Sequence, residues 1–199
     1  MVNKKIIGVI GIQGDVSEHV TSMSNALKNS NVNGAVTIIK KKEEINKIDA
    51  LIFPGGETTT ISKILYKSGL FDSISKRIKK GNLPIMGTCA GCVLLSRELI
   101  DHSKNIKLLS AMDMQVKRNA FGRQKESFEK DINIQGFTHF YNAVFIRAPV
   151  IEKVWGDCEI LSKIDKKIVM AKQDNLLAVS FHPELTNDLR VHKYFLDMI

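Results

Sequence analysis

Cysteine is scarce in this chain, with three in 199 residues: Cys89, Cys92 and Cys158. An odd number argues against a secreted disulfide framework. Cys89 and Cys92 form a C-x-x-C pattern, but no second pair completes a zinc site, so no metal is expected. No polar, Pro-rich or Gly-rich linker divides the chain, and no internal repeat or low-complexity segment is evident. Residues 1–199 therefore read as a single domain. No apolar run is long enough to span a membrane. The stretch Ile6-Ile7-Gly8-Val9-Ile10 after Lys4-Lys5 is too short for a typical signal sequence and lacks a clear small-x-small cleavage site. A cytoplasmic protein is expected. The basic segments Lys40-Lys41-Lys42, Lys79-Lys80, Lys104–Lys107 and Lys163–Lys167 lack interleaved aromatics and match no nucleic-acid motif. The formal charge of +8 thus reads as a solvated surface, with attraction to an anionic substrate channel or an acidic partner left open.

What is present is an alternation of strands and helices. Ile6–Ile12 reads as a buried strand and Val16–Leu27 as the helix after it. Strands follow at Ala35–Ile39 and at Ala50–Phe53, the latter stopped by Pro54-Gly55-Gly56. Helical patterns at Thr58–Tyr66 and Phe71–Ile78 precede a strand at Pro84–Met86. After Leu108 the apolar stretches shorten, as antiparallel hairpins would require. Further strands are expected at Ala143–Ile146, Ile168–Ala171 and Leu176–Ser180, with a closing helix over Asn187–Met198. The fold class is α/β: a three-layer sandwich with a mostly parallel central sheet and an antiparallel addition. In such sheets, sites form at the carboxyl ends of strands. Gly11–Gly14, Gly55–Glu57, Cys89 and His182–Glu184 all fall at expected strand ends.

Gly87-Thr88-Cys89-Ala90-Gly91 lies between the Leu83–Met86 apolar segment and Cys92-Val93-Leu94-Leu95. The order is strand, abrupt turn, nucleophile, helix. Small flanking residues let a cysteine occupy a strained turn, and amides at the start of a helix favour a thiolate. Cys92 is expected to point into the core, which fits a nucleophile at Cys89 better than a redox dithiol. Downstream, Ser180-Phe181-His182-Pro183-Glu184 offers a base and a carboxylate two residues apart. Glu184 can accept from Nδ1 of His182 and leave Nε2 for Cys89. The three residues suggest acyl transfer through a thioester. His19, His102, His139 and His192 have weaker claims to chemistry. Gly56 and Ala90 can supply backbone N–H groups to an oxyanion hole. Glu57 has two readings, facing a substrate ammonium or stabilising the helix that begins after it. Arg118 and Arg147 each read equally as a substrate-carboxylate fork or as a surface ion pair.

Together these strings resemble the glutaminase subunits of pyridoxal 5′-phosphate synthase, which are class I glutamine amidotransferases. The resemblance runs through Gly11-Ile12-Gln13-Gly14-Asp15, Pro54–Thr60, Gly87–Gly91, Arg118–Gln124, Phe145–Pro149 and Ser180–Thr186. It implies a class I amidotransferase fold and hydrolysis of L-glutamine to L-glutamate and ammonia, without a cofactor. It implies Cys89 as nucleophile, His182 and Glu184 as its triad partners, and Gly56, Glu57, Thr58, Arg118, Ile146 and Arg147 as substrate contacts. It also implies a β/α-barrel synthase subunit as partner, in an assembly of twelve synthase and twelve glutaminase subunits. Two departures are Thr58, where the family usually has serine, and Cys92, where an aliphatic residue is common. The glutaminase subunit of imidazole glycerol phosphate synthase shares the triad, but the Arg118–Gln124 and Phe145–Pro149 strings argue against it. A noncatalytic protein of the same fold would tolerate loss of Cys89, His182 or Glu184, and all three are present.

Overall fold

A computed structural model describes residues 4–100, 105–121 and 127–199. His102, Lys104 and the Gly122-Arg123-Gln124 end of the Arg118–Gln124 string lie outside the described residues.

The first half is a succession of βα units. In chain order these are β1 (Lys5–Ile10), α1 (Val16–Asn29), β2 (Gly34–Ile39), β3 (Ala50–Phe53), α2 (Thr58–Lys67), α3 (Leu70–Lys79), β4 (Ile85–Thr88) and α4 (Ala90–Leu95). The second half is richer in strands: β5 (Ser96–Leu99), β6 (Met112–Lys117), β7 (Ser127–Ile132), β8 (Tyr141–Ile146), β9 (Val150–Val154), β10 (Glu159–Ile164), β11 (Lys167–Gln173) and β12 (Leu176–Val179). The helix α5 (Arg190–Leu196) closes the chain.

Among the described residues, one sheet runs in the order β2-β1-β3-β4-β12-β11-β9-β6-β5, with β10 on β11. Strands β2, β1, β3, β4 and β12 are mutually parallel, whereas β11 pairs antiparallel with β12, β9 and β10. The expected mostly parallel sheet with an antiparallel addition is what forms.

The layers follow from alternation along the strands. In β3, Leu51 and Phe53 face one side of the sheet while Ala50 and Ile52 face the other. Leu51 and Phe53 pack with Ile61 and Leu65 of α2, Leu70 and Ile74 of α3 and Val93 of α4. Ala50 and Ile52 pack with Met23 and Leu27 of α1 and with Val191 and Phe195 of α5. Two helical layers therefore enclose the sheet.

Several boundaries differ from the sequence reading. Strand β1 stops at Ile10, and Gly11 N–H donating to Ile39 O starts the turn. The segment Ala143–Ile146 does not join the main sheet; as β8 it pairs with β7 in a separate antiparallel ribbon, whose Phe145 and Phe128 rings stack 4.8 Å apart. Neither β5, β9 nor β10 is apparent from apolar patterning, because each mixes charged and apolar residues, as in Ser96-Arg97-Glu98-Leu99. The closing helix begins at Arg190 rather than Asn187. Asp188 accepts from Arg190 N–H at 3.1 Å and holds the preceding residues outside the helix.

Candidate active site

Two parallel strands end side by side at the site. In the parallel pairing of β4 with β12, Thr88 lies opposite Val179. Cys89 then donates its backbone N–H to Val179 O at 2.8 Å. His182 arrives three residues after Val179, and its own N–H donates to Val144 O of β8 at 2.8 Å. The nucleophile candidate and the base candidate are therefore placed by adjacent strands, one of them also pinned to the ribbon.

Cys89 is a non-glycine residue with φ of 47° and ψ of −100°, a strained turn apex. The glycines around it are required by close approach. A Cβ on Gly87 would lie 2.6 Å from the Gly91 carbonyl, and one on Gly91 would collide with Phe53 O. The Cys89 thiol is partly exposed and lies 3.9 Å from Ile146 O. Cys92 and Cys158 are buried, and burial raises both thiols, Cys158 to about 11.

The histidine is held from one side. Nδ1 of His182 is 2.7 Å from Glu184 Oε1 and 3.2 Å from Asp15 Oδ2. Nε2 is buried and has no hydrogen-bond partner among the described residues. Burial disfavours the imidazolium, but the Asp15, Cys89 and Glu184 side chains outweigh it and raise His182 to about 12. The same contact with His182 holds Asp15 below the usual carboxylate range. Asp15, His182 and Glu184 could present ligand atoms within 4.8 Å of one another to a metal. That closeness is accounted for by both carboxylates sharing one ring N–H.

A cavity of about 520 Å³ opens in front of Cys89 and His182. Gly56, Glu57, Thr58, Ala90, Arg118, Ile146 and Arg147 all line it. The structure therefore gathers every sequence-derived candidate at one place, with Glu184 behind His182. Five elements deliver them: the β3–α2 turn, the β4–α4 elbow, the end of β6, the end of β8 and the segment after β12. Ile146 is the last residue of β8, and Arg147 follows with φ of 45°. The turn glycines are again dictated by neighbours. A Cβ on Gly55 would lie 2.6 Å from His182 Cε1, and Gly56 has φ of 139°.

Glu57 caps the helix as well as lining the cavity. Its carboxylate accepts from Thr59 N–H at 3.1 Å, Thr60 N–H at 2.6 Å and Thr59 Oγ1 at 2.7 Å, capping α2. Desolvation raises its carboxyl, but these donors prevail and bring it down to about 2. The loop before α1 packs on the same turn, with Glu57 N–H donating to Gln13 Oε1 at 3.3 Å.

Two residues at the site were not singled out from sequence. Asp15 precedes α1 without capping it and turns its carboxylate to His182 instead. His19, given a weak claim, is fully buried with Nε2 3.2 Å from Glu184 Oε2. The available signal was their spacing of four, about one helical turn across the start of α1.

A family model described as the SNO glutamine amidotransferase family matches residues 9–199. The chain is 48% identical to a protein of Methanococcoides burtonii named pyridoxal 5′-phosphate synthase subunit PdxT, over 97% of this chain and 98% of that one. It is 45% identical to a protein of the same name from Pyrococcus abyssi, over 96% and 97% of the two chains. A solved structure titled as a glutamine amidotransferase superposes with a TM-score of 0.86 at 41% identity, covering 96% of this chain and 97% of that one.

Proposed function

The chain belongs to the SNO glutamine amidotransferase family, and we propose that it is the glutaminase subunit of a pyridoxal 5′-phosphate synthase, with residues 1–199 forming one catalytic domain. The observation that carries this reading is a cavity lined together by Cys89, by His182 with Glu184 2.7 Å behind its Nδ1, and by Arg118 and Arg147.

The reaction is L-glutamine plus water to L-glutamate plus ammonia. Cys89 attacks the side-chain amide carbon as thiolate, and its charge is balanced by the His182 imidazolium. The oxyanion of the tetrahedral adduct accepts from the N–H groups of Gly56 and Ala90. His182 gives its proton to the departing nitrogen, the C–N bond breaks, and ammonia leaves a glutamyl thioester. The now neutral His182 takes a proton from water, which attacks the thioester carbon. The C–S bond breaks, glutamate departs and Cys89 returns as thiolate. Glu184 holds the Nδ1 proton throughout, so Nε2 is the nitrogen that trades protons. Arg118 and Arg147 suit the α-carboxylate of glutamine, while Glu57, Thr58 and Ile146 line the rest of its site.

The names of the relatives support a synthase partner, to which ammonia passes. A synthase core of twelve β/α-barrel subunits decorated by twelve glutaminases, and a cytoplasmic location, complete the proposal. Among the described residues no helix is long and apolar enough to cross a membrane. The Gly11–Gly14 turn is the sensor of docking in this reading, because Gly14 packs directly on the Gly55 carbonyl beside the oxyanion donors.

The test is glutamate release by the purified chain, followed by titration with the synthase subunit. Low activity alone and a rise on titration are expected. A misplaced oxyanion donor suppresses catalysis by roughly 10²–10³-fold, which sets the scale of the rise. No release at any synthase concentration would reject the glutaminase reading.

A further inference from the structure

His182 uses one oxygen of Glu184, and the other is met by a second histidine. Oε1 lies 2.7 Å from His182 Nδ1. Oε2 is buried and makes no hydrogen bond among the described residues, and His19 Nε2 lies 3.2 Å from it. The same His19 nitrogen is 2.9 Å from Thr88 Oγ1. Both His19 and Glu184 side chains are fully shielded from solvent. One nitrogen thus stands between the triad carboxylate and the residue that precedes the nucleophile.

The protonation state follows from what surrounds the ring. Burial, then the neighbouring His192 and His182, hold His19 well below the usual histidine range, so it is neutral. A neutral imidazole carries one N–H. His19 Nδ1 has no hydrogen-bond partner among the described residues. A proton there would be a buried, unsatisfied donor, and the Nε2 lone pair would face a carboxylate oxygen. A proton on Nε2 avoids both faults. It is aligned on Thr88 Oγ1 and lies beside Glu184 Oε2 without forming a hydrogen bond to it, and the Thr88 hydroxyl is then free to donate to Phe53 O at 3.4 Å.

We propose that His19 is a positioning residue of the triad: its Nε2–H, anchored on Thr88, is the polar group nearest the otherwise unpartnered Glu184 Oε2, and its attraction keeps Oε1 aimed at His182 Nδ1. Through Thr88 the same N–H ties the carboxylate side of the triad to the strand end that carries Cys89. A neutral donor suits this place because it orients Glu184 without adding a positive charge that would compete with the His182 imidazolium. The proposal rests on the triad reading above. The alternative is that His19 only fills the space between α1 and the sheet, beside the His192 ring 5.7 Å away.

Two measurements decide it. The first is the ring ¹⁵N spectrum of the full native chain labelled in histidine, across the neutral range. The titratable groups facing His19 are Glu184, His182 and His192, with Asp15 four residues earlier, just before α1. A neutral His19 protonated on Nε2 is expected. A proton on Nδ1, or a ring that titrates through neutrality, would overturn the proposal whether or not any variant folds.

The second is glutamine hydrolysis by His19→Leu and His19→Gln in complex with the synthase subunit, beside the native chain. The leucine variant should lose about tenfold in kcat with KM unchanged, the rate equivalent of one hydrogen bond to a charged group. The glutamine variant, whose amide N–H can reach Glu184, should regain most of it. A folded leucine variant with native kcat, or equal loss in both variants, would assign His19 to packing. Should the leucine variant not fold, native KM with near-native kcat in the glutamine variant is the supporting result, and loss of kcat in it counts against the proposal. A native complex that releases no glutamate would instead reject the glutaminase reading, and the ring spectrum would still report the tautomer.

Discussion

The backbone N–H of Cys89 donates to the carbonyl of Val179 at 2.8 Å, joining the turn that carries the thiol to the last residue of β12. His182 follows three residues later, and Phe181 beside it is fully buried. The geometry between thiol and imidazole is thus set by sheet register and core packing, and side-chain contacts refine it.

Replacing Cys89 by alanine should abolish glutamine hydrolysis while leaving the fold and synthase binding intact. The sulfur is partly exposed and contributes little packing. A glutamine-directed alkylating analogue should label Cys89 alone, since burial keeps Cys92 and Cys158 protonated and shielded. Peptide mapping that finds the main adduct on either of those would overturn the nucleophile assignment.

Gly55→Ala tests the support of the base. The added methyl would sit 2.6 Å from His182 Cε1 and must push the ring aside. A displacement on the order of 1 Å costs about 10²-fold in rate. We expect that loss in kcat with a cooperative, near-native thermal transition. Native kcat in the alanine variant would mean that His182 has room the structure does not show.

Arg147→Lys keeps the charge and removes the planar fork. If Arg147 holds the substrate carboxylate, KM for glutamine should rise about tenfold with kcat little changed. Unchanged binding and turnover in the assembled enzyme would return Arg147 to a surface role.

Glu57 predicts a pH-dependent contribution to stability. Its carboxyl is near 2 in the folded chain against an ordinary 4.5, because α2 amides and Thr59 donate to it. A lowered folded value means the contribution is complete above 4.5 and lost as pH falls toward 2. Glu57→Ala should cost about 1 kcal/mol near neutrality, as other N-cap losses do. Denaturant titrations of both proteins should converge as the solution is acidified. A difference that stays constant with pH would show that the carboxylate charge contributes nothing to the cap.

The sequence by itself determined the local chemistry. Small residues around Cys89 announce a turn that only they can enter, and the later contacts of Gly87 and Gly91 supply the reason. His182 and Glu184 are legible because their interaction spans two residues and needs no long-range information. The alternation of strands and helices up to Thr88 is equally local, being written in apolar periodicity. Tertiary structure alone decided which distant groups meet. Asp15 reaches His182, and His19 reaches Glu184 and Thr88, only because α1 packs over β1 and against the Pro183–Leu185 turn. The helix-stabilising role of Glu57 became visible only when the direction of α2 turned its amides onto the carboxylate. Such pairings depend on register and helix docking, which arise from the summed packing of both core layers, so no single segment encodes them.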